Sequence, residues 1–124
     1  MERWFLVGLG GLVGTLLRYW IAESASKRYG ENFPLGTLVV NSIGCLLAGF
    51  LFYLFQDRIV TSPTTRAMVF VGLLGGFTTF SAYGLQTFTL LKDGQMFLAL
   101  VNVLVSNLGC LLLVWAGYCL ARLL

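Results

Sequence analysis

Gly75-Gly76-Phe77-Thr78-Thr79-Phe80-Ser81 lies near the middle of an uncharged stretch that runs from Ala67 to Leu91. As a helix that stretch would measure roughly 37 Å, enough to cross a bilayer with some tilt. Adjacent glycines and β-branched threonines are poor residues for a helix interior. In hydrocarbon a broken helix is tolerated only where it is buried in protein or lines a cavity. The stretch therefore predicts irregular backbone, hydroxyls and an aromatic ring at membrane depth, the ingredients of an ion site.

The composition around it agrees. Of 124 residues 58% are hydrophobic and only 10% are charged, with a mean hydropathy of +0.87. Soluble domains carry about 25% charged residues, so the chain reads as a membrane protein, with one domain over residues 1–124. The net charge of +3 does not indicate nucleic acid, because the Lys and Arg residues are scattered singly, as in short loops at lipid headgroups.

Four apolar segments stand out. The first helix is expected from about Arg3 to Ala22, the second within Asn32 to Gln56, the third within Ala67 to Leu91, and the fourth within Gly94 to Ala121. The connections are Glu23–Pro34, Asp57–Arg66 and Lys92-Asp93-Gly94, where Asp-Gly suits a tight turn. The start resembles a signal peptide, but Arg18 with Tyr19-Trp20 reads as an interfacial anchor, so the segment is read as a retained helix. The predicted fold is an all-α membrane protein with four transmembrane helices, the third broken mid-membrane.

Four such helices are too few to enclose a wide pore, so oligomerisation is expected. Arg3, Arg58, Arg66 and Arg122 fall on one side of the membrane; Arg18, Lys27, Arg28 and Lys92 fall on the other. Evenly matched charges set no orientation. Copies inserted both ways up can then meet as an antiparallel, dual-topology homodimer.

Several polar residues sit inside the spans. Asn41 reads two ways, as an amide bonded to another helix or as a donor to an anion; Thr37 lies one turn earlier on the same face. Asn102, Ser106 and Cys110 share one stripe of the fourth helix, either a wet path or an interhelical seam. Asn107 lies beside that stripe on a different face. Phe80 and Tyr83 share a helical face, a spacing usual for core packing; their electropositive ring edges can also favour an anion without a fixed charge. Arg18 snorkels to the interface and also attracts anions to a vestibule. Gly10 and Gly14 form a close-packing GxxxG pair.

Absences narrow the chemistry. There is no histidine, which excludes imidazole metal sites, histidine proton relays and Ser-His catalysis. Cys45, Cys110 and Cys119 match no zinc spacing and read as packing residues. Glu2, Glu23, Glu31, Asp57 and Asp93 all lie at termini, helix ends or loops, so no carboxylate carries protons mid-membrane. No phosphate-binding loop is present. A passive pore, not an enzyme, is the economical reading.

Gly10-Gly11-x-x-Gly14-x-x-x-Arg18-Tyr19, Gly36-Thr37-Leu38-x-Val40-Asn41-x-x-Gly44 and Gly75-Gly76-Phe77-Thr78-Thr79-Phe80-Ser81 together resemble the signatures of the CrcB/Fluc fluoride channels. The match covers the four spans end to end. The resemblance implies a passive fluoride-selective channel in the bacterial cytoplasmic membrane, conferring fluoride resistance, with two pores per antiparallel dimer. It implies pore roles for Asn41, Phe80 and the residue at 83, with Ser106 a looser match. It also implies a structural sodium ion on the dimer axis, held by backbone carbonyls of Gly75 and Thr78. The chain departs from the family at Ala82-Tyr83, where a Thr-Phe pair is usual. The added hydroxyl of Tyr83 would either donate to fluoride or obstruct passage. Small multidrug-resistance transporters also have four spans, but they need a glutamate inside the first helix. One half of a heterodimeric channel is a further alternative. The partners expected are fluoride, sodium, lipid and a second copy.

Overall fold

A computed structural model describes residues Met1–Leu124. Its first helix, α1 (Glu2–Tyr29), runs about two turns beyond the expected Ala22. The added turns are polar: Ser24 Oγ donates to the Trp20 carbonyl at 2.7 Å, and Lys27 pairs with Glu23 at 2.9 Å. It stops at Gly30, whose φ of 85° reverses the chain. At 28 residues it is roughly 42 Å long, so its last turns emerge among the headgroups.

The second span, α2 (Leu35–Arg58), is followed by the third, Pro63–Lys92, and the fourth, α4 (Met96–Arg122). All four are long and apolar enough to cross a membrane, as expected. Helix ends follow local chemistry. Ser62 caps the third span by accepting from Thr65 N–H at 3.0 Å, with Pro63 in the first turn where its missing N–H is harmless. Gly94, at φ 74°, makes the tight turn into α4.

The third span is two helices in series. Its first half, α3a (63–77), ends at Phe77; the second half is α3b (Phe80–Lys92). Thr78 and Thr79 between them are extended, with φ/ψ of −81°/158° and −150°/113°. The glycines of the opening motif are not the break itself. Gly75 is still helical, at φ −65° and ψ −36°. The helix ends at the threonines because the next N–H groups are taken from the ladder, Thr79 N–H by Asn41 and Ala82 N–H by the Thr79 hydroxyl. Thr78 Oγ1 donates to the Leu74 carbonyl at 2.9 Å. Thr79 Oγ1 accepts from Ala82 N–H at 3.2 Å and so caps α3b.

Two seams hold the bundle. α3a packs along α1, and α2 packs along α4. In the first seam a Cβ on Gly76 would lie 2.6 Å from the Gly11 carbonyl, so only glycine fits. In the second, Gly49 lies against the Val114 carbonyl and Gly117 against that of Leu46, too close for any side chain. α3b leaves α1 and touches mainly α4. No more than 22% of any span's apolar window is buried within the chain. Much of each span's surface is therefore left for lipid or another copy.

Candidate functional site

Because α3b swings towards α4, a groove opens between α2, the break and α4. It has a volume of about 290 Å³ and is lined by Asn41, Cys45, Thr78, Thr79, Phe80, Tyr83, Ser106, Asn107, Cys110 and Leu111. None of these residues is charged.

Asn41 is the hinge pin of the site. Its Nδ2 donates to the Thr79 carbonyl at 3.0 Å, and Thr79 N–H donates to its Oδ1 at 2.8 Å. The interhelical reading of Asn41 is therefore what the geometry shows. A primary amide has two N–H groups, so the second remains for the groove. The lock also frees carbonyls. In a continuous helix Thr79 N–H would bond to the Gly75 carbonyl, and Ala82 N–H to that of Thr78. Asn41 takes the first donor and the Thr79 hydroxyl takes the second. The Gly75 and Thr78 carbonyls are released together, and Gly75 is exposed on the outside of the chain.

Phe80 and Tyr83 share one face as expected, with ring centroids 5.2 Å apart and planes inclined at 50°. Phe80 is 79% exposed, so its ring projects beyond the chain's own core. Tyr83 is tethered: its hydroxyl accepts from Asn107 Nδ2 at 2.9 Å. Asn107 Nδ2 also donates to the Val103 carbonyl at 2.7 Å. Both amide protons of Asn107 are thus used, while the phenol keeps its own proton.

The polar stripe on α4 divides. Ser106 and Cys110 line the groove, whereas Asn102 is buried behind it at 2% exposure. Ser106 Oγ donates to Asn102 Oδ1 at 3.3 Å, Asn102 Nδ2 donates to Thr87 Oγ1 at 2.8 Å, and Thr87 Oγ1 donates to the Tyr83 carbonyl at 2.8 Å. Ser106 has one proton, so its hydroxyl must rotate away from Asn102 to serve an anion.

Asn41, Phe80, Tyr83, Ser106 and Thr78 are brought together. Thr37 and Arg18 are not among the groove residues. Thr37 is buried and lines a separate pocket of about 200 Å³ with Tyr19, Glu23 and Gln86. That pocket shares Ser26, Pro34 and Gln86 with a wider one of about 460 Å³ at the end holding Glu31 and Asp93. Arg18 is half-buried, one residue before Tyr19 of the Thr37 pocket. Sequence reasoning did not single out Thr79 or Asn107 as site residues. Thr79 was visible as the residue three before Ala82, the spacing of a helix N-cap. Nothing local marked Asn107, whose partner lies on another helix.

The sequence profile of CrcB-like proteins (Camphor Resistance, CrcB) matches residues 5–118. The chain is 41% identical to the "Fluoride-specific ion channel FluC" of Citrifermentans bemidjiense, over 100% of both chains. It is 43% identical to the protein of that name from Clostridium perfringens (strain 13 / Type A), over 96% of this chain and 93% of the other. The one from Stutzerimonas stutzeri is 44% identical, over 96% of each. With the profile running through all four spans and the relatives aligned nearly end to end, this chain belongs to the CrcB-like family.

Proposed function

We propose that the chain is a passive fluoride channel that exports cytoplasmic fluoride across a bacterial inner membrane and so confers fluoride resistance. The observation that carries this is the uncharged groove at the Asn41-locked break. Its relatives' name supplies the ion. Fluoride holds its water tightly, so a selective path must replace that shell with neutral donors. The free N–H of Asn41, the phenol proton of Tyr83, a rotated Ser106 hydroxyl and the ring edges of Phe80 and Tyr83 are the replacements. Thr37, one turn before Asn41 on α2, lines its own pocket, and Arg18 beside that pocket's Tyr19 raises the local anion concentration. A fixed charge in the groove would trap the ion, and none lines it. The negative-inside potential drives fluoride outward.

Two copies in antiparallel orientation complete the pore in this reading. A single chain leaves the groove open, Phe80 projecting and the Asn107 amide exposed at membrane depth. An amide facing hydrocarbon is costly. A two-fold axis in the membrane plane would cover both grooves and give two pores. It would also bring two Gly75–Thr78 carbonyl pairs together. Bare carbonyl oxygens suit a hard cation, and sodium held there would tie the copies at the axis. The proton-coupled drug-exporter alternative is disfavoured, because Glu23 lies near the end of α1 and is paired with Lys27.

Fluoride efflux from liposomes carrying the purified chain tests the reading. Fluoride should leave while chloride stays, and Phe80→Ile should slow it severely with the dimer intact. Equal leakage of both halides would refute selectivity. Crosslinks between opposite orientations of the purified chain would identify a homodimer; their absence would point to an unlike partner.

A further inference from the structure

Cys45 and Cys110 have no role in fluoride passage, yet both line the groove. Each is half-buried and free, and the two face one another across the α2–α4 seam. The juxtaposition follows from the register of the α2–α4 seam. The two helices run parallel, with Gly49 set against Val114 and Gly117 against Leu46. Further along, the rings of Tyr53 and Tyr118 meet at 5.3 Å, edge to face. Residues four apart share a helix face. Stepping back along both faces from Tyr53 and Tyr118 pairs Gly49 with Val114, then Cys45 with Cys110, then Asn41 with Ser106. The thiols therefore stand one turn, roughly 6 Å, beyond the groove's polar donors.

A thiol is a weak hydrogen-bond donor and does little for a hard anion. Two adjacent thiols are instead the ligand set of a soft cation. The chain has no histidine, and no carboxylate lines the groove, so nothing nearby adds a nitrogen or carboxylate ligand. We infer that Cys45 and Cys110 form a dithiol site for a two-coordinate soft metal cation of the mercury(II), silver(I) or copper(I) class, and that filling it blocks the permeation path. Neutral mercuric chloride can enter so apolar a groove. Two mercury–sulfur bonds replace two mercury–chlorine bonds, and two protons and two chloride ions leave, with no change of oxidation state. The resulting sulfur–mercury–sulfur bridge spans α2 and α4 just beyond Asn41 and Ser106. Cys119, farther along α4 and outside the groove, serves as the internal control. Metal binding is independent of the fluoride reading; the block rests on it.

The test titrates the purified full chain with mercuric chloride against about a hundredfold excess of glutathione, a monothiol that strips singly bound mercury. Native mass spectrometry and thiolate–mercury absorbance report retention. One mercury per chain should be held by the wild type and by Cys119→Ala. Retention should fall at least about tenfold in Cys45→Ala and in Cys110→Ala. Serine variants, with size-exclusion profiles, serve where alanine unfolds the chain. Undiminished retention in either single variant, or loss in Cys119→Ala, would overturn the site. In liposomes one equivalent should cut fluoride efflux at least about tenfold, with recovery on adding a dithiol chelator. Efflux that continues with mercury bound would overturn the block. A metal-free protein that passes no fluoride would sink the channel reading and the block with it, while retention would still decide the site.

Discussion

Replacing Asn41 by leucine keeps most of the side-chain volume and removes both of its bonds to Thr79. The Thr79 N–H and carbonyl, now paired at 2.8 and 3.0 Å, would be left without partners in a low-dielectric setting. A buried polar group stripped of its partner costs about 1–3 kcal/mol, so the two together destabilise the break by about 2–6 kcal/mol. The cheapest escape is for Thr79 N–H to return to the Gly75 carbonyl, its partner in a continuous helix. That straightens the third span and occupies one of the oxygens proposed to hold sodium. Even the lower figure of about 2 kcal/mol shifts the equilibrium between extended and relaxed breaks roughly thirtyfold. Hydrogen exchange by mass spectrometry over residues 78–82, in lipid nanodiscs, should therefore slow by up to about that factor as these amides join the helix ladder. Fluoride efflux from liposomes should fall at least about tenfold. Lost efflux with unchanged exchange would show that Asn41 acts only through its second N–H on the ion. Unchanged exchange and unchanged efflux together would refute the lock.

Thr79→Val keeps the shape of the break but removes the cap on Ala82 N–H. It should lower stability by about 1 kcal/mol, read as a lower thermal midpoint and faster exchange at the start of α3b. Tyr83→Phe removes the phenol proton and takes one of the two acceptors of Asn107 Nδ2, leaving the Val103 carbonyl. Efflux should slow by about fivefold, the worth of one net hydrogen bond, and faster efflux would show that the hydroxyl obstructs. Gly117→Leu drives a side chain into the Leu46 carbonyl. It should cost about 1–3 kcal/mol or prevent assembly, seen as aggregation or a lowered midpoint in detergent. Asn102→Leu breaks the buried chain from Ser106 to Thr87 and should loosen α3b from α4, measured as faster exchange over residues 83–90.

Much of this was legible in one dimension. Long uncharged runs, Arg18 beside Tyr19-Trp20, and the Asp93-Gly94 turn each report on a few neighbouring residues, and four spans followed from them. The end of α1 was misread because Ala22 closes the apolar run, while the helix continues on Ser24 and the Glu23–Lys27 pair. Hydropathy does not register helices that extend into the headgroups. The break was placed on a motif whose glycines and threonines were both read as poor helix residues, and it falls on the threonines alone. Gly75 and Gly76 break α-propensity in isolation, yet Gly76 is used for close approach to α1. The helix ends at the threonines, where Asn41 and the Thr79 hydroxyl take N–H groups from the ladder.

Hydrophobicity, helix length and capping are local quantities, and they alone established a four-span membrane chain with an interrupted third helix. The groove is not local. Asn41 and Thr79 are 38 residues apart, and Asn107 lies 24 from Tyr83. Their bonds exist only because glycine seams bring the helices within reach. Which carbonyls are freed, which way the Tyr83 hydroxyl is held, and which face of α4 meets the groove all depend on that packing. A donor's free proton is defined by the partner its neighbours have already taken, and only the folded chain assigns the partners.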